Sequence, residues 1–240
     1  MTLVSAIISR ARRVNNSVVV GASLTANEEA EGLGLLNSFM LSALGNEAGV
    51  ELHDINIGGA YDQSQFISSW VPENARLVLN LSAARTAYLD PNPYDGQRVA
   101  IADAGANLAT RNLTLNGNGR RIETAATVVL STSSLSRQWM YRADTGNWVR
   151  LGEMAASDTL PFPVEFDTYF ALELALLLAP QNSESLSKES QAALADGRRK
   201  FRARYRRPRQ VQDMPAGFLG GRSSSFGLGT ADFNAGRAWR

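Results

Sequence analysis

The chain has no cysteine, one histidine (His53) and only two lysines (Lys188 and Lys200) among its 240 residues. Without cysteine there is no disulfide framework, thiol nucleophile, iron–sulfur ligation or thiolate zinc site. The lone imidazole has Glu47, Glu51 and Asp54 nearby, and reads as a surface or loop histidine rather than a metal ligand. A serine triad would have to use His53, and no Gly-x-Ser-x-Gly elbow offers it a partner. Neither lysine follows the glycine run of a phosphate-binding loop. Long hydrophobic runs are missing as well: the most apolar stretch, residues 170–179, contains Glu173 and is too short to span a bilayer. At the N-terminus the positive charges follow a short apolar stretch, the reverse of a secretory signal. These absences predict a soluble, cytoplasmically made protein with no membrane contact, no metal, no cofactor and no catalytic activity.

What is present is an ordinary soluble composition, 44% hydrophobic and 20% charged, in a chain long enough to bury a core without staples. The formal net charge of +1 hides two opposed segments. Eleven of the 24 Lys and Arg residues follow Asp196, where only Asp213 and Asp232 oppose them. The last 44 residues therefore carry +9 and the preceding 196 carry −8. An acidic body is followed by a basic arm.

Hydrophobic spacing divides the chain into three textures. Leu3, Ile7, Ala11 and Val14 recur at helical spacing, which predicts a short helix over residues 2–14. Thr25 and Glu28 form a capping-box pattern that opens a second helix, with Leu33, Leu36, Met40 and Leu44 as its stripe. Gly32 and Gly34 each weaken that helix by roughly 1 kcal/mol, which suggests close packing there. From about residue 50 the period becomes two, with strands expected over 76–81, 97–101, 127–130 and 138–142. Turn-formers such as Asn92-Pro93, Asp95-Gly96 and Asn116-Gly-Asn-Gly119 separate them. Asp144-Thr-Gly-Asn147, between Trp139-Met-Tyr141 and Trp148-Val149, reads as a hairpin turn.

Helix returns after Pro161 and Pro163, with Glu165 and Asp167 in its first turn, Phe166, Phe170, Leu174, Leu177 and Leu178 as its apolar face, and Pro180 as its stop. A last helix over about 187–205 buries Leu194, Phe201 and Tyr205 and turns arginines outward. Beyond Pro208 no hydrophobic period survives. No repeat of solenoid length is apparent. The expected fold is α+β: a discontinuous helical bundle (residues 1–49 and 157–207), a small antiparallel β domain inserted at 50–156, and an extended C-terminal arm at 208–240.

Two motifs need weighing. Asp144-Thr145-Gly146 matches the aspartic-protease triplet, but Asn147 and Trp148 follow it and no second triplet exists, so it reads as turn chemistry. The run Arg198-Arg-Lys-Phe-Arg-Ala-Arg-Tyr-Arg-Arg-Pro-Arg209 is the strongest signal in the chain. It could be a solvated helix face, a salt-sensitive and sequence-blind nucleic-acid contact, or a dock for an acidic protein surface. The isolated Phe218, Phe226, Phe233 and Trp239 on the glycine-rich arm favour protein pockets, because each ring can anchor separately.

The helical segments carry a resemblance. Val4-Ser-Ala-Ile-Ile-Ser-Arg-Ala through Leu35-Leu-Asn-Ser-Phe-Met40 resembles the opening of tailed-phage head-completion proteins, the head-to-tail adaptors or tail accessory factors of P22-like podoviruses. Residues 160–180, from Leu-Pro-Phe-Pro-Val-Glu-Phe-Asp to Leu-Ala-Pro, are similar to their second helical segment, and Ser190-Gln-Ala-Ala-Leu and Arg198-Arg-Lys-Phe continue the likeness. About half the chain is covered; the role of residues 50–156 does not carry over. The resemblance implies a virion protein of the tail or neck, in a homo-oligomeric ring, usually of twelve copies, beneath the portal. Its partners would be the portal protein and a tail nozzle or other tail component, with possible contact to packaged DNA. The portal-binding residues would be Arg198, Arg199, Arg202, Arg206, Arg207, Arg209, Phe218, Phe226, Phe233 and Trp239, chosen by charge and aromaticity. A DNA-binding protein using the same basic segment is the alternative.

Overall fold

A computed structural model describes residues 2–15, 23–58, 70–182 and 185–206. Residues 1–206 form one compact unit. Its helices are α1 (Val4–Val14), α2 (Ala26–Ala48), α3 (Asp167–Leu178) and α4 (Lys188–Tyr205). Between α2 and α3 run β1 (His53–Gly58), β2 (Ala75–Asn80), β3 (Arg85–Tyr88), β4 (Arg98–Asp103), β5 (Leu113–Asn116), β6 (Arg121–Ile122), β7 (Thr127–Leu130), β8 (Ser136–Arg142) and β9 (Asn147–Leu151).

The strands correct the expected architecture. Rather than a small antiparallel insertion in a helical bundle, residues 53–148 form a β-solenoid of stacked coils that dominates the fold, with four short helices beside it. β1, β2 and β4 are parallel neighbours, and Ala75 lies in register between His53 and Val99, so successive rungs are 22 and 24 residues apart. On the opposite wall β3 pairs parallel with β5, and Trp70 forms a parallel bridge to Tyr88. Antiparallel pairing enters late, where β7 joins β5, β8 joins β4 and β9 joins β8. The resulting sheets have the orders β1-β2-β4-β8-β9-β6 and β3-β5-β7. A period of two states which residues face inward and is silent on strand direction, which is why the parallel stack reads as hairpins.

The interior of the coils is an apolar ladder. Ile55, Leu77 and Ile101 occupy one register row, while Ala87, Leu113, Leu115 and Leu130 face them from the other sheet. Trp139, Tyr141 and Trp148 fill the antiparallel end of the same core. The row Ile57–Leu79–Asp103 ends on a buried carboxylate. Asp103 accepts the backbone N–H groups of Asn107 (3.3 Å), Leu108 (3.2 Å) and Ser134 (3.0 Å), fastening two turns to the last parallel rung.

A second core lies on the outer side of β8 and β9, where Met140, Val149 and Leu151 turn toward the helices. There Ile7, Ile8, Leu36, Met40, Phe170, Leu174, Phe201 and Tyr205 pack together. The capping box forms as the pattern at Thr25 and Glu28 predicts, and Gly49, at φ 68°, ends α2 in the left-handed conformation. Arg98 ties the two cores: its buried guanidinium donates to the Leu41 and Val50 carbonyls and to Gln138 Oε1, at 2.6–2.8 Å. It thereby holds the last turns of α2 and the residue after its cap against β4 and β8. Burial pulls its pKa down to about 10, so it remains a cation at neutral pH.

Candidate interaction site at the C-terminal helix

Ser187 begins α4 by accepting the Ser190 backbone N–H, and Leu194, Phe201 and Tyr205 then recur on its buried face. Tyr205 reaches the turn before β4, where an added Cβ on Gly96 (φ +88°) would stand 2.6 Å from its ring. Phe201 contacts the rings of Phe162, Phe166, Tyr169, Phe170 and Tyr205. These contacts fix how α4 is rotated, and with it the direction of each cation.

Much of the basic run is engaged by the body. Arg198 pairs with the buried Glu173 (Nη2 to Oε2, 2.9 Å), and this hydrogen-bonded carboxylate raises the arginine pKa. Arg202 donates to Glu47 Oε2 at 2.7 and 3.1 Å. Arg204 joins Asp95 at 2.8 Å and also reaches Glu165, while its guanidinium lies over the Phe166 and Tyr205 rings. Arg199 and Lys200 lie on the outward side and share Asp196, at 2.6 and 2.7 Å. Such exposed pairs contribute at most about 1 kcal/mol and yield readily to another anion. Burial and the nearby Glu173 and Glu47 carboxylates push the Tyr169 phenol well above its ordinary range, so it stays neutral.

Between the end of α3 and α4 lies an open groove of about 620 Å³. Leu176, Pro180, Leu186 and Leu194 form its apolar wall, and Arg198 and Arg202 form one rim.

Of the residues selected from sequence, Arg198 and Arg202 come together at this rim, Arg199 faces away, and Arg206 follows the last turn of α4. Arg207, Arg209, Phe218, Phe226, Phe233 and Trp239 lie outside the described residues. The pairing of Glu47, Glu173, Asp95 and Glu165 with α4 is not legible in the sequence because nothing local links them to it; Glu47 stands 155 residues from Arg202. His53 is exposed at the start of β1. Among the described residues no three His, Asp or Glu side chains are grouped to hold a metal ion. Asp144, Thr145 and Gly146 form the turn between β8 and β9, where Asp144 pairs with Arg142. No described helix is long and apolar enough to cross a membrane. The chain matches no protein-family model and no curated protein.

Proposed function

We propose that the chain is a structural protein of a tailed-phage virion, a head-to-tail adaptor that forms a ring under the portal. In this reading the segment after α4 docks on the portal, and the body receives the next tail component. The observation that carries it is the division of labour along the basic segment. Arg198, Arg202 and Arg204 are bound to carboxylates of the body, and the compact unit ends at Arg206. The remaining 34 residues keep five arginines against two aspartates, together with Phe218, Phe226, Phe233 and Trp239. The anchored helix thus holds the base of a segment rich in separate aromatic anchors, the composition expected of protein pockets. A ring repeats each such contact, so modest individual affinities sum to firm attachment.

The same pairing weakens the DNA-binding alternative, since three arginines counted toward phosphate contacts already have carboxylate partners. Purified full-length protein mixed with portal rings and imaged by electron microscopy is expected to give discrete rings on the portal. Deletion of residues 208–240 is expected to abolish docking while the body stays folded. Failure of the full chain to associate would remove the proposal.

A further inference from the structure

Asparagine or aspartate followed by glycine is the pair through which a backbone can attack its own side chain, because glycine puts no side chain in the way of the approach. Four such pairs occur in the chain: Asp95-Gly96, Asn116-Gly117, Asn118-Gly119 and Asp196-Gly197. In three of them the attacking group, the glycine N–H, is already committed. Gly96 donates to the Tyr141 carbonyl and Gly117 to the Ala126 carbonyl, both at 2.9 Å, and Gly197 lies within the hydrogen-bonded ladder of α4. The Gly119 N–H has no hydrogen-bond partner among the described residues.

The turn between β5 and β6 explains the difference. Asn118 (φ 50°) and Gly119 (φ 88°) are both left-handed, and the Arg120 N–H donates to the Gly117 carbonyl at 2.9 Å. This is the two-residue primed turn that Asn-Gly favours, and it leaves the N–H of its second central residue outside the ladder. Gly117 is buried, whereas Gly119 is exposed, and a Cβ added to Gly119 would meet nothing within 4 Å. Each asparagine has one side-chain hydrogen bond to release: Asn116 Oδ1 accepts the Asn118 N–H at 2.9 Å, and Asn118 Nδ2 donates to the Leu89 carbonyl at 3.0 Å. Those two bonds offset each other, so the glycine N–H decides between the neighbours.

We infer that Asn118 is a site of spontaneous deamidation and isomerisation, selected over Asn116 by the fold. Hydroxide from solvent removes the Gly119 amide proton, and the nitrogen attacks Asn118 Cγ. The Cγ–Nδ2 bond breaks, and the side-chain nitrogen leaves as ammonia after taking a proton from water. A second water opens the resulting succinimide ring at either carbonyl, giving aspartate or isoaspartate. The balance is asparagine plus water to an acid plus ammonia, with no oxidant or cofactor. Either product removes the donor that holds Leu89 and sets a carboxylate against its carbonyl oxygen. Isoaspartate also adds a methylene to the backbone of a tight turn. The reaction therefore loosens the tie between this turn and the rung at Leu89. This site is independent of the portal-docking reading, because the turn lies on the coils and not on α4.

Full-length protein held in mildly alkaline buffer, and the same chain held unfolded in urea, are sampled by ion exchange and by mass spectrometry of the peptide from Asn112 to Arg120. In the folded protein an acidic species is expected to accumulate. Ammonia is expected to be lost at Asn118 about tenfold faster than at Asn116, the scale of one buried hydrogen bond that only Asn116 must break first. An isoaspartyl methyltransferase is expected to label position 118. In urea the two asparagines are expected to react at similar rates, because both glycine N–H groups are then free. Asn118→Gln, whose longer side chain cyclises slowly, is expected to remove most of the acidic species, and Asn116→Gln to leave it unchanged. Equal rates at the two positions in the folded protein would overturn the proposal, as would a preference for Asn118 that persists in urea. No loss at Asn118 while the unfolded chain reacts, or an acidic species that survives Asn118→Gln, would do the same.

Discussion

Asp103 shows how one side chain closes a stack of coils. Its two oxygens accept three backbone N–H groups from turns that have no strand partner for them. Replacement by alanine leaves buried donors unsatisfied, each costing about 1–3 kcal/mol. Asp103→Ala is therefore expected to lower stability by about 3 kcal/mol in urea unfolding, with the slope unchanged. Asp103→Asn is expected to fall between the two, since one oxygen becomes a donor facing another donor. Equal stability of all three proteins would show that the turns hold without this carboxylate. Arg98 plays the matching role where α2 meets β4 and β8, as a cation whose partners are carbonyl and amide oxygens.

At the scale of elements, α2 separates two glycines that look alike in sequence. A Cβ on Gly32 would stand 2.6 Å from Ile8 Cγ2 of α1, whereas a Cβ on Gly34 would meet nothing within 4 Å. The sequence suggests close packing at both, and only Gly32 has it. Gly34→Ala is expected to stabilise by about 1 kcal/mol through helix propensity alone. Gly32→Ala is expected to destabilise by about 1–3 kcal/mol, because α1 and α2 must part or Ile8 must leave its rotamer. Thermal unfolding of the two variants measures both signs, and a shift in the same direction for both would contradict the α1–α2 contact. Helix starts are legible for a related reason: Thr25 with Glu28 opens α2 by a local rule that needs no distant partner, while Pro163 opens a 3-10 turn (Val164–Phe166) that leads into α3 at Asp167.

For the whole molecule, the boundary of the compact unit makes a sharper test than composition can. A chain ending at Arg206 is expected to unfold at the same denaturant midpoint as the full chain, since it retains both cores. A chain ending at Leu186 loses Leu194, Phe201 and Tyr205 from the helical core, together with the partners of Glu173, Glu47 and Asp95. That truncation is expected to expose apolar surface, bind hydrophobic dye and unfold broadly. If both truncations behave like the full chain, α4 is dispensable to the body and cannot anchor the segment that follows it. The acidic body and basic end inferred from charge counting thus become partly one structure, in which arginines of α4 neutralise carboxylates from three other regions of the chain.

Local chemistry determined by sequence includes the capping box at Thr25, the alternation along β2 and β5, the turn at Asp144–Gly146 and most of the apolar helix faces, although Leu177 is exposed and β4 is buried on both faces. Each depends on neighbours within a few residues, so its cause is present in the string. The coil architecture was decided elsewhere. Parallel rungs bring together residues 22 to 28 apart through unequal turns, and no residue type marks that spacing. β3 and β5 are only four residues long and draw their stability from the ladder rather than from propensity. The same holds for the sites: the basic run is plain in sequence, but which cations are already paired depends on carboxylates that folding brings from afar. Trp70 and Tyr88 become neighbours only because register sets their rungs side by side.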